Sequence, residues 1–275
     1  MLSLGADIKE DINHTLINVR YELRKHFRRK RIVIALALAL VIPILFYIIP
    51  KVRNIAFAST SVSFMSSSLG FISILIIISA AMFAGDAISG EFETRTALLS
   101  LSTPQRRSSI FIGKYIASVL AVFSIIAFYF AIVGVEVLGI YGLGAMPDAT
   151  GTSFLLCLLY GTAAVSMTFF YSSILKGVMS STLLSFFTFL MILPIVSALL
   201  QVANVVPWFI VTYSAGLMTD VFVQAPAFGG GGGGERAASV TQSTPNFLVG
   251  VEVIAAYAII LFIIAMVLAV RKDVE

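Results

Sequence analysis

The residue types able to do chemistry are few and scattered in this chain. His14 and His26 stand twelve positions apart, and Cys157 is the single cysteine. No further Cys or carboxylate set stands near them at ligand spacing, so the sequence predicts no metal site and no disulfide. No nucleophile and base are grouped as an enzyme would need, and none of the nine methionines clusters. Two acids stand out by their surroundings, because Glu136 and Glu252 interrupt long apolar runs. A carboxylate inside a membrane is costly and usually faces protein or water, which makes both candidates for a transport pathway or its gate. A plainer reading has each hydrated near a membrane surface or paired with Lys51 or Arg53. Hydroxyls gather between Ser59 and Ser68, Ser66 among them, and again at Ser181, Ser185 and Thr188. Such small side chains let helices pack closely, and the same residues are also candidates to line a polar path.

Composition decides what positions these groups. The 275 residues are 59% hydrophobic and 12% charged. That leaves too little polar side chain to cover a water-facing surface, which excludes a soluble globular protein. Six apolar runs are long enough to cross a hydrocarbon core of about 30 Å: 32–49, 62–84, 115–141, 153–175, 178–200 and 247–270. Runs of this length must be helices, since lipid offers the backbone no partner and a barrel strand would alternate. The predicted fold class is an all-α polytopic membrane protein with a six-helix transmembrane domain over 32–270. Placing the N-terminus in the cytoplasm puts 15 of the 18 Lys and Arg on that side, so both termini are expected there. The net charge of +4 then serves topology and needs no nucleic acid.

Four of the segments outside the runs carry readings of their own. Over residues 5–29, Ile8, Ile12, Leu16, Val19, Leu23 and Phe27 recur at helical spacing while Lys9, Glu10, Asp11, Asn13, Asn18, Arg24 and Lys25 fill the other face. Residues 1–31 therefore read as a cytoplasmic amphipathic interface helix. It is either a simple anchor whose basic end attracts anionic headgroups, or an elbow that also touches a partner. No small-residue cleavage pattern follows, so no removable leader is expected. Segment 85–114 packs acids and bases around Phe92, Leu98, Leu99 and Leu101, with a stop at Pro104, and reads as a docking loop. Segment 201–246 joins an apolar stretch over 206–223, a re-entrant or surface-lying helix, to six glycines at 229–234 that read as a flexible external linker. Residues 271–275 form a cytoplasmic tail.

Segment 85–114 carries a resemblance. Asp86-Ala-Ile-Ser-Gly90-Glu91, Thr96-Ala-Leu-Leu-Ser, Thr103-Pro104 and Gly113-Lys114 follow the second run in the order of the first cytoplasmic loop of ABC-2 type transporter permeases. The chain is similar in layout throughout, and most similar to the permease subgroup linked to copper-enzyme maturation and to multidrug-type permeases. One position departs, because Arg95 stands where the family commonly has Gly.

The resemblance implies an ABC-2, type V exporter-like architecture in a prokaryotic plasma membrane. It implies a homodimer in membrane lipid, driven by two copies of a separate ABC ATPase. No Gly-x-x-x-x-Gly-Lys-Ser/Thr occurs in the chain, so ATP and Mg are expected on that partner, with no cofactor here. Residues 86–102 would serve as the coupling helix, with Asp86, Glu91, Phe92, Glu93, Arg95, Thr96 and Leu99 as contacts and Lys176 as a smaller second one. The expected cargo is amphiphilic or lipid-like. Two other readings stay open: a non-transporting subunit that passes ATPase motion to an external protein, and a channel or carrier that works without an ATPase.

Overall fold

The computed structural model describes residues 2–28, 30–94, 105–224 and 246–272. Its elements are helical, and six are long and apolar enough to cross a membrane. The amphipathic α1 runs Leu2–Arg28 and turns at once into the first span, α2 (Arg31–Arg53), which ends where Asn54 adopts a left-handed backbone. The second span is broken in two. Its first part, α3 (Ser61–Leu69), opens on Thr60, whose hydroxyl accepts from the Ser63 N–H at 3.2 Å. A turn at Gly70 and Phe71 follows, beside a Ser68 carbonyl that accepts from Tyr129 at 2.6 Å, and α4 (Ile72–Ala84) continues inward.

After α4 comes one short turn of helix, α5 (Ser89–Glu93), and then the third span, α6 (Arg107–Tyr141). At 35 residues α6 is about 52 Å long, well beyond the hydrocarbon thickness. The apolar run begins only at Tyr115, yet the helix starts eight residues earlier. Charge ends an apolar run without ending a helix, and no Pro separates Arg107 from Lys114.

The fourth span is α7 (Thr150–Ile174). The fifth begins as α8 (Val178–Phe187), passes through a π-helical turn over Thr188–Ile192 and ends as α9 (Leu193–Val202), where Pro194 lacks the N–H of a regular ladder. Beyond it, α10 (Val211–Ser214) and α11 (Leu217–Gln224) dip into the bundle, burying Val211, Leu217, Met218 and Phe222. The last span is α12 (Phe247–Arg271), packed along α7. A continuous apolar core runs through the second, third and fourth spans, capped at one end by α10 and α11. The other end carries α1, α5 and most of the basic residues, and is called the basic end below.

Candidate functional site

At the basic end, α5 is tied to four neighbours. The Ser172 hydroxyl of α7 accepts from the backbone N–H groups of Ile88 and Ser89 at 3.1 and 3.0 Å, satisfying buried donors at the start of the turn. From α8, the Ser181 hydroxyl donates to the Gly85 carbonyl at 2.7 Å and lies 3.0 Å from the Ser89 hydroxyl. Gly85 sits where any side chain would strike Thr182 of α8, so a glycine there lets the two chains meet. At the far end of α5, Glu93 accepts from the Val178 N–H at 2.6 Å and so caps α8.

The third neighbour is α6, through Lys114. Its side chain is only 4% exposed and its ammonium lies 2.5 Å from Glu91, 3.2 Å from Glu22 of α1 and 3.1 Å from the Ala87 carbonyl, to which it donates. Lys25 reaches Glu22 at 2.9 Å, so two cations and two carboxylates balance. A buried charge must be paired, and this arrangement pairs each one. Burial raises the Glu22 carboxyl, but Lys114 and then Lys25 outweigh it and hold the group below the usual carboxylate range. A second pair stands nearby. Arg31 donates to Asp86 at 2.7 Å and to the Met82 carbonyl at 3.2 Å, joining the start of the first span to the end of the second.

The fourth neighbour is α12. Lys272 donates to the Leu175 carbonyl at 2.8 Å and lies 4.6 Å above the Phe92 ring, a cation–π distance. Burial, and then the like charge of Lys176, lower the Lys272 ammonium to about 8. Phe92 also rests on a small core formed by Ile88, Phe111, Phe169, Ala265 and Ala269.

The helix α1 is seated on α6 by a side other than its apolar stripe. Val19 and His26 are buried and Thr15, Asn18 and Glu22 are half-buried, whereas Ile12, Leu16 and Phe27 are exposed. Gly113 is the reason the helices come so close, since a methyl there would crowd Asn18 Cβ and the Thr15 carbonyl. Asp11 meets Arg106 at 3.0 Å, and Asn18 donates to Gln105 at 3.2 Å. Asp11 and Asn18, read from the sequence as part of the polar face, are thus contacts to the residues that lead into α6.

Toward the other end lies a cleft of about 290 Å³ between the second, fourth and fifth spans and α10–α11. Leu69, Ile77, Phe189 and Met218 supply its apolar wall, and Ser73, Thr212 and Thr219 its hydroxyls. The Thr212 hydroxyl is sealed from solvent without a hydrogen-bond partner among the described residues. The cleft borders the Gly70 break and the π-helical turn, the two places where spans depart from regular helix.

The residues singled out from sequence fall as follows. Asp86, Glu91, Phe92 and Glu93 are gathered at the basic end, with Asp86 buried and all four engaged inside the chain by Arg31, Lys114, Lys272 and the Val178 N–H. Glu91 and Phe92 therefore face their own protein, where the sequence reading aims them at a partner. Arg95, Thr96 and Leu99 lie outside the described residues, as do 94 onward of the proposed 86–102 helix apart from Thr94. Lys176 is exposed in the turn between the fourth and fifth spans, beside Thr94 and Met179, also exposed. Ser185 is buried with its hydroxyl 2.6 Å from Thr168 of α7, and Ser66 is half-buried on α3. Glu136 is half-buried on α6, with one carboxylate oxygen sealed and unpartnered among the described residues, and Glu252 is exposed on α12. Neither acid, nor Ser66 or Ser185, lines the 290 Å³ cleft.

Lys114 and Glu22 escape the sequence reading as a pair. The signal that finds them is a lysine at the first turn of an apolar run, which needs a counter-charge, and the spacing of Thr15, Asn18, Val19, Glu22 and His26 along one side of α1.

Six helices long and apolar enough to span, an amphipathic helix before the first and a short bonded turn between the second and third define a polytopic membrane protein. The chain belongs to the ABC-2 family transporter proteins, whose family model matches residues 8–273. Members are membrane components of ABC transporters and not themselves the hydrolysing subunit. No curated protein matches the chain.

Proposed function

We propose that this chain is the permease subunit of an exporter, with both termini in the cytoplasm, driven by a separate ABC ATPase that docks at the basic end. The observation that carries the reading is the bonding of α5. A single turn of helix is fastened to α6 by Lys114, to α7 by Ser172, to α8 by Ser181 and Val178, and to α12 by Lys272. A push on its outer surface therefore reaches four spans and, through Glu22, the amphipathic α1. Thr94 and Lys176 remain exposed beside it and supply the surface an ATPase touches, as Arg95, Thr96 and Leu99 would in the adjoining segment.

The cargo read from the far end is amphiphilic or lipid-like and without a strong charge. Its support is the cleft, whose lining combines apolar side chains with hydroxyls and holds no charged group. Two copies of the chain work together with two ATPase subunits. The first, fifth and last spans are each only 22% buried, which leaves room for a second copy as well as lipid. Glu136 and Glu252 stand as candidates for the outer gate.

The test is reconstitution. The chain is purified with its co-expressed ATPase, placed in liposomes, and ATP-dependent movement of a fluorescent short-chain phospholipid analogue between leaflets is followed by chemical quenching. ATP-dependent movement, lost on a Thr212→Phe change that fills the cleft, is the expected result. An ATPase that binds while no analogue moves would favour the non-transporting subunit, and no ATPase at all would favour a channel or carrier.

A further inference from the structure

We infer that the outward face of α1 is a docking surface for anionic lipid headgroups, in the leaflet where the first span begins. The helix sorts its charges in a way the sequence does not display. Among residues 11–28 the acids are Asp11 and Glu22, and both turn inward to Arg106 and Lys114. Arg20, Arg24 and Arg28 turn outward, are exposed, and form no ion pair among the described residues. Their field is therefore uncancelled on that side.

The same face carries Ile12, Leu16 and Phe27, which are 54, 59 and 62% exposed. Exposed apolar residues alternating with arginines over some four turns are the pattern of a helix half-sunk in headgroups, with ring and aliphatic groups among the acyl chains and guanidinium groups at the phosphates. Position supports this occupant over any other. Arg31 opens the first span directly after α1, so Arg28 lies within a turn of the hydrocarbon boundary and Arg24 within two. Anionic lipid is the ligand whose charge and apolar tail match both halves of the face, and a guanidinium fork suits its phosphate. The contact has a consequence for the rest of the molecule. Since Glu22 on the opposite side of α1 holds Lys114, the lipid surface would fix the helix that fixes α5.

The experiment uses the full chain with Trp208→Phe and Phe27→Trp, so that the only tryptophan sits on the outward face. The protein is placed in nanodiscs in which a minority of lipid is brominated, either phosphatidylglycerol in a phosphatidylcholine background or phosphatidylcholine in the same background. Quenching by both brominated lipids, stronger for phosphatidylglycerol, is expected. Each arginine at a headgroup surface is worth a factor of about five in that preference. The triple change Arg20→Gln, Arg24→Gln, Arg28→Gln should remove the preference while quenching by phosphatidylcholine persists. A crosslink between Asp11→Cys and Arg106→Cys made by a short bifunctional thiol reagent, still formed in the triple variant, shows that α1 stays seated. Equal quenching by the two lipids in the parent chain would overturn the inference. Absence of quenching by either would also overturn it, and if the triple variant then failed to hold an ATPase, the face would belong to that partner. The readout requires no ATPase and no transport, so it stands or falls apart from the proposed export function.

Discussion

Replacing Lys114 by methionine keeps the length and most of the volume of the side chain and deletes one charge. Glu22 and Glu91, whose side chains are 13 and 17% exposed, would both lose the Lys114 ammonium, while Glu22 keeps Lys25. Breaking a buried pair by removing one partner costs about 3–5 kcal/mol, because the remaining charge keeps its desolvation without its attraction. Glu22 keeps Lys25, so the lower part of that range applies. For a chain of this size, 1 kcal/mol corresponds to roughly 2–4 °C in midpoint, which puts the expected fall at about 6–12 °C. The assay is retention of the monodisperse protein after heating in detergent. The triple change Lys114→Met, Glu22→Gln, Glu91→Gln removes all three charges, and neutral replacement of a buried ionic set is often close to neutral in stability. It should recover most of the loss, giving strong non-additivity between contacting residues. A midpoint within about 2 °C of the parent for Lys114→Met alone would refute the reasoning, and so would a triple variant as unstable as the single one.

Three further outcomes follow from the same geometry. Glu22 has its pKa lowered from 4.5, so its share of the α1–α6 contact is present above that value and fades as the pH falls through the lower folded one. Crosslinking of Asp11→Cys to Arg106→Cys, taken at each pH relative to the same pair in the Glu22→Gln chain, should then fall in acid toward the yield of that variant. Gly113→Val inserts a branched side chain against Asn18 and the Thr15 carbonyl and should lower the same crosslinking yield at neutral pH, at a cost of about 1–3 kcal/mol. Glu93→Ala uncaps α8 and should cost about 1 kcal/mol, whereas Glu93→Gln, which keeps an acceptor for the Val178 N–H, should cost clearly less in the same heating assay.

The spans were legible because a hydrocarbon solvent leaves only helices open to runs of that length, and the basic flanks marked their ends. The breaks inside them were not. Gly70 and Pro194 are visible in the sequence, but a π-helical turn at Thr188–Ile192 depends on how the fifth span packs against Tyr160 and Tyr171. The amphipathic α1 was legible as a helix, but its seat on α6 was not, since hydrophobic periodicity cannot weigh a buried Glu22–Lys114 contact between residues 92 positions apart. The loop residues Glu91 and Phe92 were legible as important by their setting among acids, bases and leucines. Their partners were not, because Lys114 and Lys272 each come from the end of a different span. The cleft was invisible in the sequence for the same reason, being assembled from four separated segments with no shared motif.

The central claim is that an ABC ATPase docks on the exposed surface beside α5. The direct measurement is co-purification in detergent of ATP-hydrolysing protein with the parent chain and with a Thr94→Arg, Lys176→Glu variant, which alters exposed residues, loses the Thr94 hydroxyl's bond to the Gly90 carbonyl and leaves the Lys114, Ser172, Ser181 and Val178 bonds of α5 in place. The account predicts that the parent brings down the ATPase and that the variant, equally stable to heat, loses at least most of it. A variant that binds the ATPase as well as the parent would place the docking surface elsewhere, and a parent chain that binds none would contradict the account itself.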